Sequence, residues 1–134
     1  MPVSKSELEA LAAFRYTLRQ FMRFSEEAAQ EVGLTPQQHQ ALLNIQGFPG
    51  RDQITIGELA ERLKIRHHSA VGLVNRLVTE GLVKREAAKT DRRQVYVKLS
   101  RRGLEMLEQL SEAHRAELKR IGPQLGQLLE RLVK

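Results

Sequence analysis

The feature of the sequence that most constrains the fold is a pair of short helical patterns separated by three residues. Thr55 and Glu58 have the spacing of a capping box, and they begin a first pattern that runs to about Leu63. The turn Lys64-Ile65-Arg66 follows, and a second pattern runs from His67 to about Glu80. Two helices joined by so short a turn form a helix-turn-helix.

The second of these helices has two distinct faces. Its apolar residues recur at helical spacing and are predicted to be buried; they are Ala70, Leu73, Val74 and Leu77. The opposite face is polar and nearly free of acid; it contains His68, Gly72, Asn75 and Thr79, with Ser69 and Arg76 on its flanks.

A β-hairpin is predicted directly after the helix-turn-helix. Residues 82–87 and 94–99 can pair as two strands, because the second alternates apolar Val95, Val97 and Leu99 with polar residues. Between Leu82 and Arg102, eight basic residues stand against two acidic ones, an excess equal to the +6 net charge of the whole chain. A run of charge is often only a solvated surface. This one coincides with the hairpin, whose tip carries Lys89 and Asp91-Arg92-Arg93.

Longer helical patterns flank this central part. Ser4 begins a helix that continues to Gly33, and Thr35-Pro36 begins a second one. Ser100 begins a third, which Gly122-Pro123 is predicted to separate from a last short helix. The apolar stripe of the first helix is broad for a terminal helix, so we expect something outside its own chain to cover part of it.

The composition excludes several classes of protein. A chain of 134 residues corresponds to about one domain, and the absence of Cys excludes disulfides and thiolate metal sites. No apolar run is long enough to cross a membrane and the first residues lack the layout of a secretion signal, so we expect a cytoplasmic protein without a membrane partner. There is no nucleophile elbow and no phosphate-binding glycine loop, so we expect neither enzymatic activity nor a cofactor.

The four histidines do not predict a metal site. His67 and His68 are adjacent, and side chains one residue apart on a helix point about 100° away from each other. His39 and His114 belong to separate predicted elements without an evident acidic companion.

Four stretches of the sequence carry a resemblance to a known family: LTPQQHQALLNI, ITIGELAERLKI, HHSAVGLVNRLVTEGLVKRE and TDRRQVYVKLSRRG. From Leu34 to about Leu110, the chain resembles the MarR family of bacterial transcription regulators, which are winged helix-turn-helix homodimers. The most specific element is the Asp-x-Arg motif at Asp91 and Arg93, placed after the helix that Gly81 ends.

The resemblance implies a mainly α fold with about six helices and a two-stranded β wing. Residues 34–99 would form a winged helix-turn-helix lobe that binds DNA. Residues 1–33 and 100–134 would form a helical dimerisation region within the same compact domain. The implied partners are double-stranded DNA and a second copy of the chain, and the implied function is a sequence-specific regulator, a repressor, on a pseudo-palindromic operator.

The resemblance also implies roles at the wing tip. Arg93 would enter the minor groove, Asp91 would orient it, and Arg92 would contact phosphate or share the groove. The alternative is a surface ion pair that only pins the turn, worth about 0–1 kcal/mol.

In the second helix, the sequence departs from the family at Arg66, where a Ser or Thr cap is common, and at Gly72, where Arg is common. Base readout is therefore expected near the amino-terminal turn. The predicted DNA-contacting residues are Arg66, His67, His68, Ser69, Gly72, Asn75, Arg76, Lys89, Asp91, Arg92 and Arg93. Two alternatives stay open: Arg76 pairs with an acid inside the molecule, and Gly72 accommodates packing rather than DNA.

A small aromatic or anionic effector is a further implied partner, bound near Phe14, Tyr16 and His39, residues that fit equally well in a core. Two other functions remain. A nonspecific architectural DNA-binding protein would share the charge pattern but discriminate little between sequences. A winged helix that binds protein would need no arginines at its wing tip.

Overall fold

A computed structural model, described for residues 2–87 and 94–134, has a mainly helical winged helix-turn-helix fold. Its described residues form five helices and three strands in this order: α1 (Lys5–Glu31), α2 (Pro36–Gln46), β1 (Gln53–Thr55), α3 (Ile56–Leu63), α4 (His67–Thr79), β2 (Val83–Ala87), β3 (Val95–Leu99) and α5 (Arg101–Val133). The predicted fold class is confirmed, although the numbers of helices and strands differ from the prediction. Within the described ranges, no helix is both long and apolar enough to cross a membrane.

The helix starts follow from local sequence. Ser4, Thr35, Thr55 and Ser100 each accept a hydrogen bond of 3.1 Å from the backbone amide three residues later. At Thr35 and Thr55 the side chain of the third helical residue bonds back to the cap, which completes a capping box. The exception is α4, whose N-cap, Arg66, makes no side-chain cap hydrogen bond.

The prediction that Gly122-Pro123 ends a helix was wrong, because α5 continues through Pro123 to Val133. Pro123 and Lys119, whose carbonyl loses its intrahelical donor, both lie outside the buried core. Ile121 and Leu128 on either side are buried, and α5 packs mainly against α1. This packing outweighs the cost of an interior proline, which is about 3 kcal/mol.

The predicted hairpin is present as β2 and β3, which pair from Val83 with Leu99 to Ala87 with Val95. The prediction of only two strands was wrong. The short β1 adds to the other edge of β3, with Ile54 opposite Val97, so that the antiparallel sheet has the order β1-β3-β2. Three residues, the last of which is also the N-cap of α3, are too few to show strand periodicity in the sequence.

One apolar core joins the helix-turn-helix, the sheet and the inner ends of α1 and α5. Its large, fully buried side chains are Leu42, Ile45, Ile54, Leu59, Leu73, Val74, Leu77, Leu82 and Val97. The residues predicted to form the buried face of α4 are all buried. This packing fixes which face of α4 points outward.

At the start of α5, two segments of backbone meet without a side chain between them. Gly103 is buried, and a Cβ atom on it would lie 2.1 Å from the carbonyl oxygen of Leu82. The same carbonyl accepts a 2.9 Å hydrogen bond from the backbone amide of Ser100, whose hydroxyl donates to the carbonyl of Gly81 at 2.6 Å. The long helix is thereby attached directly to the end of the helix-turn-helix.

Candidate nucleic-acid interface

The outward face of α4 carries the polar side chains that the sequence analysis singled out. Four consecutive predicted site residues at its amino-terminal end are exposed: Arg66, His67, His68 and Ser69. Asn75 and Arg76 are exposed farther along the helix, and Gly72 is half-buried. No acidic residue lies in the first turn of α4. The partial positive charge of a helix amino terminus is therefore not neutralised by α4 itself.

A hydrogen bond joins α4 to the wing. Arg85 on β2 donates from its guanidinium group to the side-chain oxygen of Asn75. Both residues are exposed, as is Lys84 beside Arg85. Arg85 was not among the residues predicted to contact DNA, although it belongs to the basic excess of the hairpin. Its place in an exposed strand just after α4 was the available signal.

The geometry of α4 bears on two alternatives: that Arg76 pairs with an acid inside the molecule, and that Gly72 accommodates packing. Within the described part of the chain, Arg76 makes no ion pair. A methyl group at Gly72 would meet no described atom within 4 Å, so packing inside the molecule does not require glycine at this position.

The predicted residues of the wing tip lie outside the described part of the chain. Lys89, Asp91, Arg92 and Arg93 all fall between Ala87 and Gln94.

A cavity of about 570 Å³ lies where α1, α2 and α5 meet. Its walls combine apolar, imidazole and cationic side chains, chiefly Phe21, Leu43, Leu118, His39, His114, Arg115 and Lys119. Of the three residues predicted for an effector site, His39 lines this cavity, whereas Phe14 and Tyr16 do not. Tyr16 is 60% exposed on α1, and its hydroxyl accepts a 3.1 Å hydrogen bond from Gln20.

Two histidines come together in this cavity. Nδ1 of His114 is 2.7 Å from the carbonyl oxygen of Leu110, and Nε2 is 2.8 Å from the hydroxyl of Ser25. Because a carbonyl only accepts, Nδ1 of His114 is the donor, and in the neutral ring Nε2 accepts from Ser25. His39 is only 3% exposed, and its Nδ1 is buried with no hydrogen-bond partner among the described residues.

The environment of His39 lowers its pKa from the ordinary value, mainly through burial and secondly through the nearby His114. The sequence had placed these two histidines on separate elements and could not show that the fold joins them. Within residues 2–87 and 94–134, no group of three or more potential ligands is arranged to hold a metal ion.

The fold and the exposed face of α4 define the class: a winged helix-turn-helix protein. Residues 32–94 match the family model described as the MarR family. Over these residues the chain is similar to that family of transcription regulators.

Solved structures of this family share the fold. A MarR family protein from Bacillus stearothermophilus is 20% identical over 100% of both chains, with a TM-score of 0.80. AbsC, a MarR family transcriptional regulator from Streptomyces coelicolor, is 24% identical over 90% of this chain and 80% of its own, with a TM-score of 0.71. The apo form of MarR from E. coli is 22% identical over 100% of both chains, with a TM-score of 0.70. A search of curated protein sequences finds no match.

Proposed function

We propose that this protein is a sequence-specific transcriptional repressor that binds a pseudo-palindromic DNA operator as a homodimer. The observation that carries the proposal is the exposed, acid-poor face of α4, joined to the basic strand β2 by the bond between Arg85 and Asn75. An α-helix fits the major groove of B-DNA, and a hairpin beside it reaches the adjacent minor groove.

We assign the residues of α4 different contacts with DNA according to their positions along the helix. His67, His68 and Ser69 face base edges from the first turn of the helix. The N-cap Arg66 makes no side-chain cap hydrogen bond, so the first backbone amides of α4 are available to a DNA phosphate. The Arg66 guanidinium group binds the same phosphate. Gly72 allows the DNA to approach the helix closely.

Farther along the interface, Arg76 and Arg85 contact the DNA backbone, and Asn75 orients Arg85. At the wing tip, the resemblance assigns Arg93 to the minor groove with Asp91 as its orienter, and Arg92 to phosphate or the groove. Lys89 is a further predicted DNA contact in the same loop.

Exposed apolar side chains on the terminal helices support a homodimer. They are Leu8, Leu11, Tyr16, Leu18 and Met22 on α1, and Leu118, Leu129 and Val133 on α5. Apolar surface of this extent on a small chain calls for a partner, and a two-fold dimer covers the same patch on both copies. The dimer presents two α4 helices to one duplex.

The cavity between α1, α2 and α5 supports release by a small aromatic or anionic effector. Its volume of about 570 Å³ lies within the usual range for small-molecule sites. Phe21 and Leu118 provide apolar walls, and Arg115 and Lys119 provide positive charge. An effector that binds the DNA-free arrangement more tightly than the DNA-bound one would lower the affinity for DNA.

Selection of binding sites from random DNA by the purified protein tests the proposal. We expect a recovered palindrome with half-sites about 10 bp apart and A·T-rich flanks. The affinity for this site should exceed that for random DNA by more than about 10³-fold, whereas a ratio below about 10 would indicate an architectural DNA-binding protein instead.

Two substitutions then separate the modes of contact. His68→Ala should cost about 1–3 kcal/mol, mainly on the selected site. Arg93→Ala should weaken binding to all sequences and reduce the salt dependence by nearly one ion per subunit. Equal effects of both variants on selected and random DNA would contradict direct readout by α4.

A further inference from the structure

A buried glutamine connects the amino-terminal turn of α2 to the carboxyl end of α4. Gln38 is only 4% exposed although its side chain is polar. Its Oε1 accepts a 3.0 Å hydrogen bond from the backbone amide of Thr35, and its Nε2 donates to Oε2 of Glu80 at 3.0 Å. A buried carboxamide is stable only when such bonds are made, so the positions of its two partners are closely coupled.

Glu80 is the C-cap residue of α4 and is held from a second direction. Its backbone carbonyl accepts a 3.3 Å hydrogen bond from Arg102 near the start of α5. The carboxyl end of α4 is therefore tied through Gln38 to α2 and through Arg102 to α5.

The position of this connection at the end of α4 affects the orientation of the helix relative to the core. The apolar face of α4 fixes the rotation of the helix on the core, and the contacts of Glu80 fix the position of its far end. His68 lies twelve residues before Glu80, about 18 Å at 1.5 Å per residue. A change of tilt at one end of a rigid helix displaces the other, and readout of bases depends on side-chain positions at the level of single hydrogen bonds.

We propose that Gln38 is a positioning residue for DNA recognition, which acts through its hydrogen bond to Glu80 and sets the tilt of α4. This role rests on the proposed function of α4 as the helix that reads DNA. Gln38 itself touches no DNA, so its loss should reduce discrimination between sequences more than it reduces general affinity for DNA.

The chemistry of Gln38 allows this role to be separated from helix capping. A glutamate side chain at position 38 has two acceptor oxygens in place of the one acceptor and one donor group of glutamine, so Gln38→Glu retains the bond from the amide of Thr35. It has no donor for Glu80 and places two carboxylates against each other. Gln38→Glu therefore preserves the capping box and breaks the connection to α4.

The reciprocal exchange should rebuild the connection. In the double variant, which combines Gln38→Glu with Glu80→Gln, the new carboxamide at position 80 donates to the new carboxylate at position 38, so the bond is restored in the opposite direction. Glu80→Gln alone keeps an acceptor for the Gln38 amide and should resemble the original protein. Gln37→Glu is the matched control, because it adds the same charge to an exposed neighbour on the same turn.

The experiment measures the affinity of the full-length variants for the selected DNA site and for random DNA, with thermal unfolding alongside. For Gln38→Glu we expect about tenfold weaker binding to the selected site, with affinity for random DNA no lower than that of Gln37→Glu. The double variant should recover the original ratio of the two affinities. A merely structural role would not give this pattern, because loss of folded protein would lower the apparent affinities for selected and random DNA by the same factor and leave their ratio unchanged.

Several results would overturn the proposal. One is a ratio for Gln38→Glu equal to that of Gln37→Glu; another is a folded double variant that does not recover. If Gln38→Glu does not fold, Glu80→Ala replaces it, because it removes the acceptor from an exposed residue and leaves the cap of α2 intact. An unchanged ratio in Glu80→Ala would equally contradict the role.

The outcome also distinguishes this role from the proposed function. If the original protein selects no DNA sequence, both the proposed function and the role of Gln38 are refuted. If the original protein selects a DNA sequence but the variants keep its ratio of affinities for selected and random DNA, only the role of Gln38 is refuted.

Discussion

The imidazole rings of His39 and His114 face each other across the junction of α2 and α5, with their centroids 5.0 Å apart and their planes tilted by 52°. Phe21 and Phe24 of α1 also contact the ring of His114 edge-on. This cluster holds the terminal helices α1 and α5 against the first helix of the proposed DNA-binding lobe, and it places two titratable rings in one apolar setting.

The free energy of unfolding should therefore decrease as the pH falls below about 6.5, the ordinary pKa of histidine. Burial lowers the pKa of His39 in the folded state, and His114 lowers it further, so the unfolded chain binds a proton that the folded one resists. The stabilisation is present above about pH 6.5 and is lost as the pH falls through the folded pKa. The other charged side chains that line the cavity are those of Arg115 and Lys119.

Chemical denaturation about one pH unit above and one below the ordinary histidine pKa measures this effect. His39→Leu should reduce the loss of stability between the two conditions, whereas the exposed His68→Gln should retain it. An equal loss in His39→Leu and in the original protein would show that His39 is not the responsible group.

Gly103→Ala should destabilise the protein strongly, by about 3 kcal/mol or more. The added methyl group would lie 2.1 Å from the Leu82 carbonyl, which is backbone and cannot rotate away. Gly126→Ala on the same helix provides the contrast: no atom of the described residues lies within 4 Å of its methyl group, and it should gain up to about 1 kcal/mol of helix propensity. Thermal unfolding of both variants tests this prediction, which fails if their midpoints shift in the same direction.

Leu11→Asp and Leu129→Asp should each convert the proposed dimer to monomers. Both leucines are nearly half exposed, at 47% and 46%, and they lie on α1 and α5. A carboxylate buried without a partner in an apolar interface is strongly unfavourable. Val95→Asp serves as a control, because Val95 is 40% exposed but lies on the wing strand β3. Sedimentation should find a dimer for this control and for the original protein; a monomeric original protein would refute the proposed assembly.

Gly72→Ala should raise stability while it weakens binding to the selected DNA site. Alanine is favoured over glycine in a helix by about 1 kcal/mol, and no described atom opposes a methyl group at position 72. If DNA approaches α4 closely at this point, the methyl group obstructs it. A titration of the selected site that finds unchanged affinity, together with a higher unfolding temperature, would assign Gly72 no part in binding.

The sequence predicted most of this architecture because its local signals agree with the fold. The caps at Thr35 and Thr55 begin helices where they were expected, and the apolar residues of α4 occupy the core. The prediction that Gly122-Pro123 ends a helix failed because the packing of α5 against α1 outweighs the local tendency of proline to end a helix. The third strand was missed because its pairing with β3 is a tertiary contact over a very short segment.

For the candidate site, the sequence predicted which residues of α4 are exposed but not the contacts between different elements. The exposure of His68 and Ser69 followed from helical periodicity alone. The bonds from Arg85 to Asn75 and from Gln38 to Glu80 join residues on different elements. Periodicity within one segment carries no information about such distances, and neither does it predict that two histidines far apart in the sequence share a cavity.

The backbone junction between Gly103 and Leu82 has a consequence for how the protein can diversify. A contact formed by main-chain atoms alone offers no side chain to lengthen, shorten or recharge, so substitution can break it but not adjust it. The junction between the long helix and the lobe is in this sense a fixed pivot. Adjustments to the angle of the lobe must therefore be made at the side chains around that pivot, where Arg102 and Gln38 converge on Glu80.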